Sequence, residues 1–79
     1  MNIPLKKVTS SNINAIGYDE KRQLLDVQFN NGRLYRYENV HKHDYENLMK
    51  ASSIGGYHRQ NIMFDHEYYE IDPITKEKK

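Results

Sequence analysis

The chain contains no cysteine, so neither a disulfide staple nor a thiolate nucleophile or metal ligand is available to it. It contains no tryptophan and only two prolines, and no apolar run approaches the ~20 residues that a membrane-spanning helix requires. The N-terminal stretch Met1-Asn2-Ile3-Pro4-Leu5-Lys6-Lys7 lacks the continuous apolar core of a signal peptide. Together these absences point to a cytoplasmic protein with no membrane partner. Charge of one sign is lacking as well: twelve basic residues stand against eleven acidic ones, a formal net charge of +1. Such a balance exerts no general pull on nucleic acid or anionic lipid, so any binding of that kind needs a local patch. What the composition has in excess is tyrosine, seven in 79 residues, a side chain with an apolar body and a polar tip.

At this length there is room for one domain with a small core, and the pattern along the chain predicts α+β. Residues 1–7 read as a flexible lead-in, 8–72 as the single domain, and 73–79, Pro73-Ile74-Thr75-Lys76-Glu77-Lys78-Lys79, as a disordered charged tail. A first strand is expected over 12–18. After the charged turn Asp19-Glu20-Lys21-Arg22, Leu25, Val27 and Phe29 alternate with Asp26 and Gln28, the period-2 mark of a strand. Asn30-Asn31-Gly32 closes a hairpin onto a second alternating run from Arg33 to Val40.

The length of that turn decides where Tyr35 and Tyr37 point. A two-residue turn at Asn31-Gly32 places both rings on the polar face with Gln28 and Asp26. A three-residue turn, with Gly32 in the left-handed conformation, places them with Val27 and Leu25 on the apolar face and leaves Arg36 outward with Asp26, Gln28 and Leu34. The second segregates apolar from polar residues better and is preferred. Beyond Val40, the spacing of Tyr45, Leu48, Met49 and Ser52 predicts a helix over 42–53, stopped at Gly55-Gly56 and packed on the sheet. One or two helical turns follow near 57–62, then a final short strand, Glu67-Tyr68-Tyr69-Glu70-Ile71. The architecture expected is a three- to four-stranded antiparallel meander with one main helix on one face and a short second helix.

The ordered series Ser10-Ser11-Asn12-Ile13, Gly17-Tyr18-Asp19, Leu25-x-Val27-x-Phe29-x-x-Gly32-x-x-Tyr35-x-Tyr37-x-x-Val40, Tyr45-x-x-Leu48-x-x-Ala51 and Ser53-x-Gly55 resembles the KTSC domain family from about Val8 to Ile71. The chain departs from that pattern at His41, where the family usually has proline, and in a slightly long spacing between Ile62 and the last tyrosines. The resemblance implies a small domain of unknown molecular function. Such domains occur at the C-terminus of some lysyl-tRNA synthetases and as stand-alone proteins of bacteria and phages. RNA or tRNA is the partner that this context suggests.

Four groups of residues are candidates for function. Tyr35, Arg36 and Tyr37 could form a base-stacking surface, against the alternative of a cross-strand core cluster. Arg33 and Arg59, with Arg22, Arg36 and Lys42, could converge on phosphate, although Asp26, Glu38 and Glu46 lie in the same elements. Ser53, Gly55, Gly56 and His58 could hold an anion at a helix start, or the glycines could only let the chain reverse. His41, His43 and Asp44, or His58, Asp65 and His66, lack the rigid three- or four-ligand arrangement of a metal site. No catalytic group, metal or cofactor is expected. The two functions that remain are a nucleic-acid-binding accessory module and a protein-interaction module or phage accessory factor without catalytic activity.

Overall fold

The computed structural model describes residues 2–79; Met1, the first residue of the expected lead-in, lies outside the described residues. Five antiparallel strands form one sheet in sequence order: β1 (Lys6–Lys7), β2 (Ile13–Asp19), β3 (Leu24–Phe29), β4 (Leu34–Tyr37) and β5 (Tyr68–Ile71). Helix α1 (Lys42–Lys50) and the short α2 (Ile54–Tyr57), which runs on as a π-helical segment (His58–Ile62), lie between β4 and β5. The α+β meander is therefore as expected, with one more strand.

The turn takes the three-residue form. The Phe29 amide donates to the Arg33 carbonyl at 2.9 Å and Gly32 has φ 90°, a conformation that a residue without Cβ adopts without steric cost. Val27 then faces Tyr35 and Leu25 faces Tyr37. In β2, Ile13 pairs with Phe29 and Ala15 with Gln28, so a bulge at Asn14 absorbs one residue. That is how Ile13 and Ile16, three apart, both enter the core with Leu25, Val27, Tyr37, Val40, Leu48 and Ile62. Tyr18 ties α1 to this face: its ring stacks on Tyr45 at 4.7 Å and its hydroxyl donates to the Val40 carbonyl at 2.6 Å.

The helices depart from the expected boundaries. α1 stops at Lys50 because Ala51 takes an extended conformation (ψ 141°), and Gly55-Gly56 sit inside α2, where they do not stop a helix. The reason for the glycines is local: a Cβ on Gly55 would run into the Asn12 side-chain oxygen, and the Gly56 amide donates to the Ser53 hydroxyl oxygen at 3.1 Å, where a Cβ on Gly56 would lie 2.9 Å from that oxygen.

The second face of the sheet differs most from expectation. Across the strands, Gly17, Asp26, Arg36 and Tyr69 form one row and Ala15, Gln28, Leu34 and Ile71 another. Ile3-Pro4-Leu5 cross over Gly17, where an added Cβ would lie 2.5 Å from the Pro4 carbonyl oxygen and 3.0 Å from Ile3 Cγ2, and Ile3 is buried. At the other end residues of the expected tail turn back: Asp72 accepts from the Ile74 and Thr75 amides, Ile71 bridges to Lys78, and Lys79 pairs with Glu70 at 3.1 Å. Residues 3–7 and 77–79 thus lie against the sheet or its edge, and Lys6–Lys7 make a strand of part of the lead-in.

Candidate functional site

Arg36 does not project toward solvent. It is 4% exposed and Asp26 0%, joined by two bonds, Nε to Oδ1 at 2.7 Å and Nη2 to Oδ2 at 2.9 Å. The bond to Asp26 holds the guanidinium above its ordinary pKa. The expectation of an outward Arg36 fails because polar alternation does not by itself make a wet face: Ile3-Pro4-Leu5 cross that face at Gly17 and Asp26 supplies the charge partner. Tyr37 is buried too, 2% exposed, and burial raises its phenol pKa. Tyr35 is half-buried.

Of the five basic residues considered, Arg22 pairs with Asp19 at 3.0 Å, Lys42 with Glu20 at 3.5 Å and Arg36 with Asp26. Arg33 and Arg59 are exposed, and neither has a carboxylate partner at salt-bridge distance among the described residues. Arg33 immediately precedes β4, on which Tyr35 and Tyr37, two apart, point the same way. Its pKa is raised first by hydrogen bonding with the Tyr35 side chain and then by the charge of Glu70.

Ser53 and Gly56 line one open surface pocket with Ala51, Ser52, Tyr57 and Gln60, but Gly55 and His58 do not join them there. The Ser53 hydroxyl is spent on the Gly56 amide, Gly55 faces Asn12, and His58 turns inward, 3% exposed. The His58 ring meets Tyr37 at 5.0 Å and Phe29 at 5.6 Å, both edge to face, and its Nε2 has no hydrogen-bond partner. Burial, with the nearby Arg59 charge second, lowers its pKa to about 4, so the ring is neutral at pH 7. The other histidines are tied elsewhere: His41 Nδ1 to Gln23, His43 Nε2 to Asn47, and His66 Nδ1 to the Glu38 carbonyl. Among the described residues no group of three or more His, Asp or Glu side chains is placed to hold a metal ion.

What the structure does assemble is an aromatic cleft of about 360 Å³, lined by Phe29, Asn31, Tyr35, Tyr37, Met63 and Tyr68. It lies where side chains of β3, its turn, β4 and β5 meet Met63, which follows the π-helical segment. Tyr68 pairs with Tyr37 across the strands, their rings 5.2 Å apart and tilted by 31°, while the Tyr35 ring meets Tyr68 edge-on at 6.1 Å and Phe29 at 5.8 Å. Tyr68 remains 47% exposed. The Asn31 side-chain oxygen accepts from the Arg33 amide at 2.9 Å, which directs its NH₂ group away from that bond. The line Arg33-x-Tyr35-x-Tyr37, with Tyr68 beside it, thus replaces the sequential triplet Tyr35-Arg36-Tyr37. Phe29, Asn31, Met63 and Tyr68 were not among the candidates; the period-2 alternation of β5 carried a signal for Tyr68, and no local signal marks Met63.

A family model described as the KTSC domain matches residues 9–69. An uncharacterized protein from Stutzerimonas stutzeri strain A1501 is 39% identical over 64 residues, which cover 80% of this chain and 90% of the relative. The crystal structure of a KTSC domain protein from Yersinia pestis superposes with a TM-score of 0.84 at 30% identity, covering 90% of this chain and all of that one.

Proposed function

The chain belongs to the KTSC domain family, and from that premise we propose that it is a non-catalytic accessory module of the cytoplasm that binds RNA, tRNA included. The observation that carries this reading is the open aromatic cleft, with Arg33 just before β4 interacting with the Tyr35 side chain that lines it. Aromatic rings stack on bases of any sequence and a guanidinium attracts phosphate, the two means by which small folds hold nucleic acid. Glu70, the carboxylate nearest in effect to Arg33, is itself paired with Lys79, which limits its competition with phosphate. The cleft's side chains are phenyl and phenol rings, a thioether and an amide, groups suited to holding a ligand more than to moving protons at neutral pH.

Titration of labelled tRNA and of single-stranded RNA at low and moderate salt tests the reading. Binding that weakens with added salt supports it, and flat curves at both salts overturn it. A protein partner is the second reading, favoured by Phe64, which is 81% exposed just after the π-helical segment. A partner retained from lysate through nuclease treatment, and lost in a Phe64→Ala variant, distinguishes it from the first.

A further inference from the structure

Resting on the nucleic-acid reading, we infer that the cleft between the end of the π-helical segment and strands β3–β5 takes one unpaired base of a single strand, stacked on Tyr68, with Arg33 at the adjoining phosphate. Four observations converge on this occupant. Tyr37 leans on the Tyr68 ring at 31° and Tyr35 meets it edge-on, while Tyr68 stays 47% exposed. That arrangement leaves a stacking platform whose orientation is held by its neighbours. The volume, about 360 Å³, falls at the small end of ligand pockets (~300–1,000 Å³) and suits one planar group.

The cleft is also not purely apolar. Asn31 Nδ2 is directed away from the Arg33 amide, and the three phenols Tyr35, Tyr37 and Tyr68 are near enough for the first and last to act on the ionisation of Tyr37. A base presents ring nitrogens, carbonyls and amino groups at its rim that can meet such polar groups, which a hydrocarbon or phenyl occupant cannot. Finally, Arg33 supplies charge complementarity to a phosphate, and Arg59, one helical turn before Met63, adds a second cation on the wall-forming segment. In a duplex the base faces are covered by their stacked neighbours, so paired strands cannot use the platform.

The test is a titration of the full chain, followed by amide NMR shifts and by anisotropy, with short oligoadenylate, the same strand annealed to its complement, and an abasic strand of equal length. The expected result is saturable binding of the single strand that shifts the Asn31 side-chain NH₂ signals, with the duplex and the abasic strand weakened at least about tenfold. Tyr68→Ala is expected to weaken the single strand about tenfold or more with an unchanged circular dichroism spectrum, and Tyr68→Phe to retain it. Arg33→Gln is expected to weaken it and reduce the slope of affinity against salt by about one. If the single strand, duplex and abasic strand bind alike, or Tyr68→Ala binds as the parent does, the one-base cleft is overturned while the nucleic-acid function stands. If no strand binds even at low salt, both fall together. If a phenylalanine-rich peptide shifts the Asn31 NH₂ signals and no strand does, the cleft belongs to a protein ligand and both are likewise overturned.

Discussion

Replacing Asp26 with leucine removes the carboxylate that Arg36 grips in the roofed face of the sheet. Both carboxylate oxygens are engaged, at 2.7 and 2.9 Å, and the two residues are 0% and 4% exposed, so neither charge can turn to solvent without moving Ile3-Pro4-Leu5 or β5. An uncompensated buried charge of this kind costs about 3–5 kcal/mol. At roughly 0.05–0.15 kcal/mol per residue, a chain of 79 residues has about 4–12 kcal/mol in all. Asp26→Leu should therefore leave the protein marginally folded at 25 °C. The double variant Asp26→Leu/Arg36→Met should recover most of the loss, because it removes the stranded guanidinium and its desolvation cost together. Urea unfolding followed by tyrosine fluorescence and far-ultraviolet circular dichroism reads both, with an unchanged m value confirming that the same surface unfolds. The reasoning is refuted if Asp26→Leu alone costs less than about 1 kcal/mol, or if the double variant is no more stable than the single one.

His58 should make the fold acid-sensitive: its pKa falls from 6.5 when unfolded to about 4 when folded, so the unfolded chain binds the extra proton and stability declines as pH drops from 6.5 toward 4. The loss at the bottom of that window is on the order of 3 kcal/mol, and His58→Phe, which keeps an aromatic ring against Phe29 and Tyr37, should flatten this part of a melting-temperature profile against pH. Gly17→Ala should push Ile3-Pro4-Leu5 off the sheet, visible as faster amide exchange at Ile3 and Leu5 and as a loss of about 1–3 kcal/mol in urea titrations. Ser53→Ala should cost about 1 kcal/mol through the lost cap on Gly56 while leaving nucleic-acid affinity unchanged in the anisotropy assay.

Local patterns along the chain were enough for β2 to β5, for the presence of the main helix, for the three-residue turn and for the pairing of Tyr35 with Val27 and of Tyr37 with Leu25, but not for β1 or for the end of α1. These follow from side-chain alternation and from the need for a left-handed residue at Gly32, both of which are written in a few consecutive positions. The resemblance to the KTSC domain family was legible for a related reason, since it rests on an ordered series of short motifs. The bulge at Asn14 was not legible, nor was the start of α2 before Gly55-Gly56, because each depends on what the segment meets: the paired strand in one case, Asn12 in the other.

The candidate site divides in the same way. Tyr35 and Tyr37 could be placed on one face from sequence alone, whereas Tyr68, Phe29, Asn31 and Met63 come to the same cleft from β5, from β3 and its turn, and from the end of the π-helical segment. Arg36 shows the limit most clearly. A polar alternation tells which side of a strand a residue occupies; it does not tell what else the chain lays on that side. The crossing of Ile3-Pro4-Leu5 over Gly17 covers part of that face, and residues 77–79 run beside the edge of β5 with Lys78 over the Tyr69 ring. Periodicity is a property of neighbours in sequence, and burial is a property of neighbours in space.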